Sequence, residues 1–266
     1  MNKLLSVVIP TYNRQAKTVE AINSVYSLFP ELVEIIVIDD ASLAPFACSS
    51  VNCNNVDVRV VRVESNGGAG LSRKIGVSHA KANTVAFLDS DDCYSSTWID
   101  DVLKLINNNS SHHFIIVGSV IGGSIIHAMV FKLLMATPTS LQLIFTRVIT
   151  IFFNPFYTPS LVINKEDCSF HDSLRYCEDY YTFSSAIFKA DKIYILQDNA
   201  CTIGREPNTT GGLSNSNQEM FAGELTVRKS MLFMSVVPIR YRVIVPFGFL
   251  YQYMRRLIKS ILMRVK

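Results

Sequence analysis

Val85-Ala-Phe-Leu-Asp89-Ser90-Asp91-Asp92 is a short apolar run that stops abruptly in three carboxylates within four residues. A run of that length and composition reads as a strand buried on both faces, the kind found inside a parallel sheet. Its end then lies where such a sheet opens toward a ligand crevice. Side chains two apart on a strand share a side, so Asp89 and Asp91 can converge. Converging carboxylates suit a hard cation, Mg²⁺ or Mn²⁺, whose shell is completed by waters and substrate phosphates.

The flanking sequence repeats the strand signal. Leu4–Pro10, Glu34–Ile38 and Val56–Val63 read as further strands, the last near an edge because its alternation is partial. Val19, Ile22, Val25, Tyr26 and Phe29 recur at helical spacing after the first strand, and Trp98, Ile99, Val102, Leu103 and Ile106 do so after the opening stretch. Asn66-Gly-Gly-Ala-Gly70 is a flexible turn leading into a helix through Leu71, Ile75 and His79. Alternating strands and helices predict an α/β fold with a doubly wound, mostly parallel sheet. Farther on, strands are expected at Phe114–Val120, Ser160–Ile163 and Lys192–Leu196, with a helix containing Asp179, Phe183, Ile187 and Phe188. Phe114–Phe131 reads as two strands around Gly122-Gly123-Ser124, a membrane-embedded segment being the alternative. The apolar stretch Ala128–Phe153 fits helix or strand equally, and Gly204–Gln218 reads as a loop and candidate lid.

Composition narrows the setting. The chain has 266 residues, a mean hydropathy of +0.25 and a net charge of +3. That sum conceals a division. Leu225–Lys266 carries nine Lys or Arg and no acid, while the other 16 basic residues face 22 acidic ones. Within that tail Leu250, Tyr253, Met254, Leu257, Ile258, Ile261, Leu262 and Val265 keep a three-four spacing with Arg255, Arg256, Lys259 and Lys266 off the stripe. This pattern predicts a basic amphipathic helix suited to a membrane surface, or one packing its stripe on the domain. Its broad apolar face argues against nucleic acid as partner. The N-terminal apolar run is interrupted by Pro10, Asn13 and Arg14 with no small-residue cleavage site, so no export signal is expected. Six scattered cysteines without a C-x-x-C pair predict reduced thiols.

Four features are expected at one sheet edge: Pro10-Thr11-Tyr12-Asn13-Arg14, Asp39-Asp40, the glycine turn with Arg73, and the Asp89 group. Arginine beside a metal-binding carboxylate cluster is what a diphosphate requires, since it neutralises phosphate oxygens while the cation bridges them. The turn is not a phosphate loop, because no Gly-Lys-Ser/Thr follows it.

Ser6-Val-Val-Ile-Pro-Thr-Tyr-Asn-Arg14, Val37-Ile-Asp-Asp40, Asn66-Gly-Gly-Ala-Gly-Leu-Ser-Arg73 and Phe87-Leu-Asp-Ser-Asp-Asp92, in this order, resemble glycosyltransferase family 2. The likeness implies a GT-A fold, a nucleotide-diphosphate-sugar donor, a divalent metal and inversion at the anomeric carbon. It implies a nucleotide-sugar-binding half over 1–110 and an acceptor-binding half of the same domain over 111–224, while the charge division and helical spacing set off a basic amphipathic, membrane-associating tail over 225–266. Carried over residue by residue, Pro10, Thr11, Tyr12, Arg14, Asp39, Asp40, Gly68, Arg73, Asp89, Ser90 and Asp91 would bind the nucleotide sugar. Thr11, Tyr12 and Asp39 would line the base and ribose pocket, and Asp91, with Asp89, would hold Mn²⁺ or Mg²⁺. Cys177-Glu178-Asp179-Tyr180 resembles the family's Glu-Asp motif, making Asp179 the general base beside Glu178. Gly204-Arg205-Glu206-Pro207 lacks the histidine some relatives carry there, leaving Arg205 as a candidate phosphate or lid residue.

These implications combine into one expectation: hexose transfer, galactose first and glucose or N-acetylglucosamine next, from a UDP-sugar. The acceptor expected is a polyprenyl-diphosphate-linked sugar in bacterial O-antigen or other surface-polysaccharide synthesis, with the protein peripheral on the cytoplasmic face of the plasma membrane. A sugar-1-phosphate nucleotidyltransferase would need a Gly-rich N-terminal loop where this chain has Ile9-Pro-Thr-Tyr-Asn13. A catalytically silent, membrane-associated sugar-nucleotide-binding protein is the remaining rival, and it would consume no UDP-sugar.

Overall fold

The computed structural model describes residues 2–47, 56–109, 111–204 and 217–264. β1 (Leu5–Thr11) and β2 (Val33–Asp39) are buried at every residue, as continuous apolar strands covered on both faces must be. β1 pairs in parallel with β2, from Leu5 opposite Val33 to Thr11 opposite Asp39, and with β4 (Thr84–Phe87) on its other side. β3 (Asp57–Arg62) closes the edge against β2. β7 (Leu161–Asn164) joins antiparallel to β4, followed by β6 (Phe114–Ile121), β8 (Lys192–Thr202) and the short β5 (Cys93–Tyr94), in the order β3-β2-β1-β4-β7-β6-β8-β5. β1 to β4 pair wholly in parallel with one another, and antiparallel pairing enters with β7 against β4 and with β5 against β8.

Alternate residues of β1 feed two cores. Leu5, Val7 and Ile9 pack with Ile22 of α1 (Gln15–Ser24) and Trp98 and Ile99 of α3 (Trp98–Asn107). Val8, on the opposite face, packs with Val77 of α2 (Gly68–His79) and Phe183 and Ile187 of α6 (Glu178–Lys189). This double cover leaves the carboxyl ends of β1, β2 and β4 at one edge, together with the N-termini of α2 and α6.

The structure corrects two expectations and settles one open reading. The first helix stops at Ser24, leaving Tyr26 and Phe29 exposed. Asp100 captures the chain here, accepting from Ser27 Oγ at 2.7 Å and Leu28 N at 3.0 Å. Gly122-Gly123-Ser124 does not join two strands: it leads into α4 (Ile125–Ala136), whose first turn is capped by Ser124 Oγ accepting from His127 N. Pro138 then separates α4 from α5 (Thr139–Phe152), so the ambiguous apolar middle is a helix pair.

The boundary expected at 224/225 falls inside α7 (Asn217–Phe233). Val227 and Met231 of α7 share a third core with Ile151, Tyr180 and Phe188, joined by Tyr241 of α8 (Ile239–Arg242) and Val245 at the start of α9 (Val245–Arg264). Arg228, counted with the basic tail, is wholly buried. It donates to Ile151 O at 3.0 Å and Gln252 Oε1 at 2.7 Å, which makes it a brace between α5, α7 and α9. No described helix is long and apolar enough to cross a membrane.

Candidate active site

A cavity of about 450 Å³ opens at this edge. Of the residues expected there, Pro10, Thr11, Tyr12, Arg14, Asp40, Gly68, Arg73, Asp89, Ser90, Asp91, Glu178 and Asp179 all line it. Arg205 lies outside the described residues. Asp39 is the exception. It is buried beside the cavity, accepting from Ser42 N and Phe46 N, both at 3.0 Å, and pairing with Arg62 at 2.6 Å. Burial pushes its pKa up, but these donors outweigh burial and hold it below the ordinary value. Asp39 therefore secures the loop after β2, and Asp40 is the residue that reaches the cavity.

Asp40 organises the glycine turn. Gly67 N and Gly68 N donate to its two oxygens at 2.9 and 2.8 Å, and Gly68 has φ +83°, a conformation that costs glycine nothing. Gly70, one turn into α2, meets the first turn of α6, where a Cβ would come within 2.5 Å of Glu178 Cγ. That close approach brings Arg73 between the two halves of the sheet. Arg73 Nη2 donates to Asp89 at 2.5 Å and Nη1 to Glu178 at 2.7 Å, with only 7% of its side chain exposed. Burial opposes the guanidinium charge, yet Asp89, Glu178 and Asp179 more than compensate and raise its pKa further.

Arg14 Nη1 donates to Asp91 Oδ2 at 2.7 Å. Each carboxylate of the Asp89-Ser-Asp91 pair thus has its own arginine. Among the described residues no three His, Cys, Asp or Glu side chains converge as a closed metal cage. The donor set nonetheless fits a hard cation of the Mg²⁺ class, which takes one or two carboxylates and draws the rest of its shell from waters and phosphates. Asp91 would hold it first, in exchange for Arg14, with Asp89 beside it.

On the opposite wall Cys177, with φ +60°, turns the chain into α6 so that Glu178 and Asp179 face the cavity. Burial raises both carboxyl pKa values, partly offset by Arg73 and reinforced by Asp89, and the Asp179 charge raises that of Glu178 further. Asp179 Oδ2 accepts from Asn154 Nδ2 at 3.1 Å. Asn66, Ala69, Ser72 and Cys177 of the quoted motifs also line the cavity, and sequence reading missed Thr158, Arg175, Tyr176 and Met220. Arg175 stands three residues before Glu178, and its charge beside an acidic motif was the available signal.

Known proteins resemble this chain in sequence and in fold. Residues 6–152 match the sequence pattern of "Glycosyl transferase family 2", more than half of the chain. The chain belongs to this family. The poly(ribitol-phosphate) beta-N-acetylglucosaminyltransferase TarS of Staphylococcus aureus is 28% identical over 200 residues, 73% of this chain and 34% of TarS. An uncharacterized glycosyltransferase of Haemophilus influenzae is 32% identical over 112 residues, 42% of this chain and 37% of that protein. The match thus spans about a third of the length of these curated relatives. The crystal structure of TarS 1–349 with UDP-GlcNAc superposes at a TM-score of 0.69 and 19% identity, covering 94% of this chain and 73% of that one. Glucosyl-3-phosphoglycerate synthase of Mycobacterium tuberculosis, solved with Mn²⁺, UDP and glucosyl-3-phosphoglycerate, gives 0.55 and 18% identity, covering 85% of this chain and 80% of that one. These likenesses establish the GT-A fold for this family 2 glycosyltransferase.

Proposed function

We propose that this family 2 glycosyltransferase moves a hexose from a UDP-sugar, with inversion, to a sugar on a polyprenyl-diphosphate-linked acceptor in bacterial surface-polysaccharide synthesis. The observation that carries the reading is one cavity with the Asp89-Ser-Asp91 pair on one wall and Asp179 on the other, bridged by Arg73. Inversion needs a carboxylate on the face of the sugar opposite the leaving diphosphate. Asp179 takes the acceptor hydroxyl proton as the new C–O bond forms, and the diphosphate leaves toward Arg14 and Arg73. Asp91 and Asp89 would hold a divalent cation, which would supply charge neutralisation for the leaving group. UDP is favoured as the carrier because the S. aureus and M. tuberculosis neighbours were solved with it. Galactose is the first sugar expected from the family likeness; UDP-GlcNAc in the TarS structure puts N-acetylglucosamine in the same test panel.

Asp91→Ala is expected to abolish metal-dependent turnover, read as UDP release over a Mn²⁺ titration. Normal turnover that still requires Mn²⁺ would remove Asp91 as principal ligand.

The acceptor assignment is supported by α9. Phe247, Leu250, Tyr253, Met254, Leu257 and Ile258 are each about half exposed or more, so this stripe is not packed on the domain. Arg255 and Arg256 flank it, Arg256 lying 4.3 Å over the Phe221 ring. An exposed apolar stripe edged by arginines fits the anionic cytoplasmic face of a membrane, each basic residue contributing about 1 kcal/mol near the surface. Co-sedimentation with phosphatidylglycerol vesicles is expected, weaker with phosphatidylcholine, and lost in the Leu250→Asp/Leu257→Asp double variant. Equal binding by that variant would place the contact elsewhere.

A further inference from the structure

We propose that His127 and Asn154 are positioning residues that hold Asp179 in its reactive orientation, an assignment that rests on the reading of Asp179 as the base. Asn154 follows α5 and sends its side-chain Nδ2 to Asp179 Oδ2 at 3.1 Å. Its own carbonyl oxygen is held by His127 Nε2, also at 3.1 Å. A carbonyl only accepts, so Nε2 carries the proton. Nδ1 is therefore the lone-pair nitrogen of a neutral ring and accepts from Ser124 Oγ at 2.6 Å. Burial lowers the His127 pKa, only partly offset by the Asn154 carbonyl and the Asp179 charge, and so favours the neutral ring.

The ring is fixed by packing as well as by hydrogen bonds. Tyr157 lies against it with centroids 4.4 Å apart, and the Tyr157 hydroxyl accepts from Ser124 N at 2.8 Å. Ser124 thus sets His127 from two sides, His127 anchors the Asn154 backbone, and Asn154 aims its amide at the base. The amide's other end is telling. Asn154 Oδ1 is buried without a hydrogen-bond partner among the described residues. A residue kept for packing would satisfy both ends; this one leaves its oxygen unpaired to present its nitrogen to Asp179. None of Ser124, His127 and Asn154 belongs to the motifs that mark the site, and Asn154 does not line the cavity.

One donor on one carboxylate oxygen does two things. It fixes which oxygen points at the acceptor hydroxyl, and it stabilises the ionised form against the burial and the neighbouring Asp89 that favour the neutral one. The other groups facing Asp179 are Arg73 from α2, His127 from α4 and Cys177 from the turn before α6.

The test uses the full chain with ¹³C-carboxyl-labelled aspartate, the Asp179 resonance being assigned by its loss in Asp179→Asn. Turnover is read as UDP release from UDP-GlcNAc and UDP-galactose with Mn²⁺ and diphospholipid-linked GlcNAc. Asn154→Ala is expected to raise the Asp179 pKa and to lower kcat about tenfold with donor KM unchanged. His127→Ala should act in the same direction. His127→Gln, which retains an N–H donor for the Asn154 carbonyl, should recover most of the loss. If Asn154→Ala does not fold, the His127 pair carries the test alone. An unmoved Asp179 pKa and kcat in variants that fold would overturn the positioning role while leaving the base intact. Full turnover by Asp179→Asn overturns the base, and the positioning role with it.

Discussion

Asp179→Asn is expected to lower sugar transfer by ~10²–10⁴-fold, the usual contribution of a general base, while UDP-sugar affinity stays within about twofold. The separation follows from place. Asp179 stands at the start of α6 across the cavity from the Asp89-Ser-Asp91 pair, so removing its charge breaks neither the Arg14–Asp91 nor the Arg73–Asp89 ion pair of the opposite wall. Stability should not suffer. Burial raises the Asp179 pKa, so the folded chain binds this proton more tightly than the unfolded chain does. Ionisation at neutral pH therefore opposes folding, and the neutral amide removes that cost. The same direction sets the pH profile. Activity needs the ionised form, so its acid limb should lie above the ~3.9 of an ordinary aspartate and should vanish in any residual activity of Asp179→Asn. Turnover within a few-fold of the unmodified chain would place the base elsewhere.

Arg73→Met is expected to do the opposite, damaging binding and fold together. The guanidinium is buried between Asp89 and Glu178 at 2.5 and 2.7 Å and is the cation common to both walls of the cavity. Removing one member of a buried pair leaves its partners uncompensated, at a cost of ~3–5 kcal/mol. Calorimetry should show a thermal midpoint lowered by several degrees, and titration with UDP and Mn²⁺ an affinity at least about tenfold weaker. Adding Glu178→Gln relieves one uncompensated carboxylate. The double variant should therefore recover part of the stability and none of the UDP affinity. Recovery of both would reduce Arg73 to a structural ion-pair partner.

The parallel half of the sheet was legible because each of its buried strands is a local run that ends in a change of chemistry. Val85–Leu88 ends in Asp89, and Glu34–Ile38 ends in Asp39-Asp40. Which of two adjacent aspartates reaches the cavity was not legible. Asp39 is taken by Ser42, Phe46 and Arg62, and Asp40 by the glycine turn, partners that sequence spacing does not reveal. α4 escaped for a different reason: Ile125, Ile126, Met129 and Leu133 are apolar yet exposed, so its hydrophobic residues mark no single buried face. Its N-cap, Ser124, was the local sign of a helix start. The link from His127 through Asn154 to Asp179 joins three separate segments by single hydrogen bonds and leaves no periodic trace. The same holds for Arg73 and Glu178, 105 residues apart in the chain and in contact because Gly70 lets α2 approach α6.

The stereochemistry of a single turnover tests the proposed reaction most directly. The chain would be incubated with Mn²⁺, a panel of α-linked UDP-galactose, UDP-glucose and UDP-GlcNAc, and diphospholipid-linked GlcNAc or GalNAc, and the product's anomeric proton coupling read by NMR. Consumption of one UDP-sugar with formation of a β-linked product is predicted. An α-linked product, or no consumption of any UDP-sugar by folded protein across the panel, would contradict it.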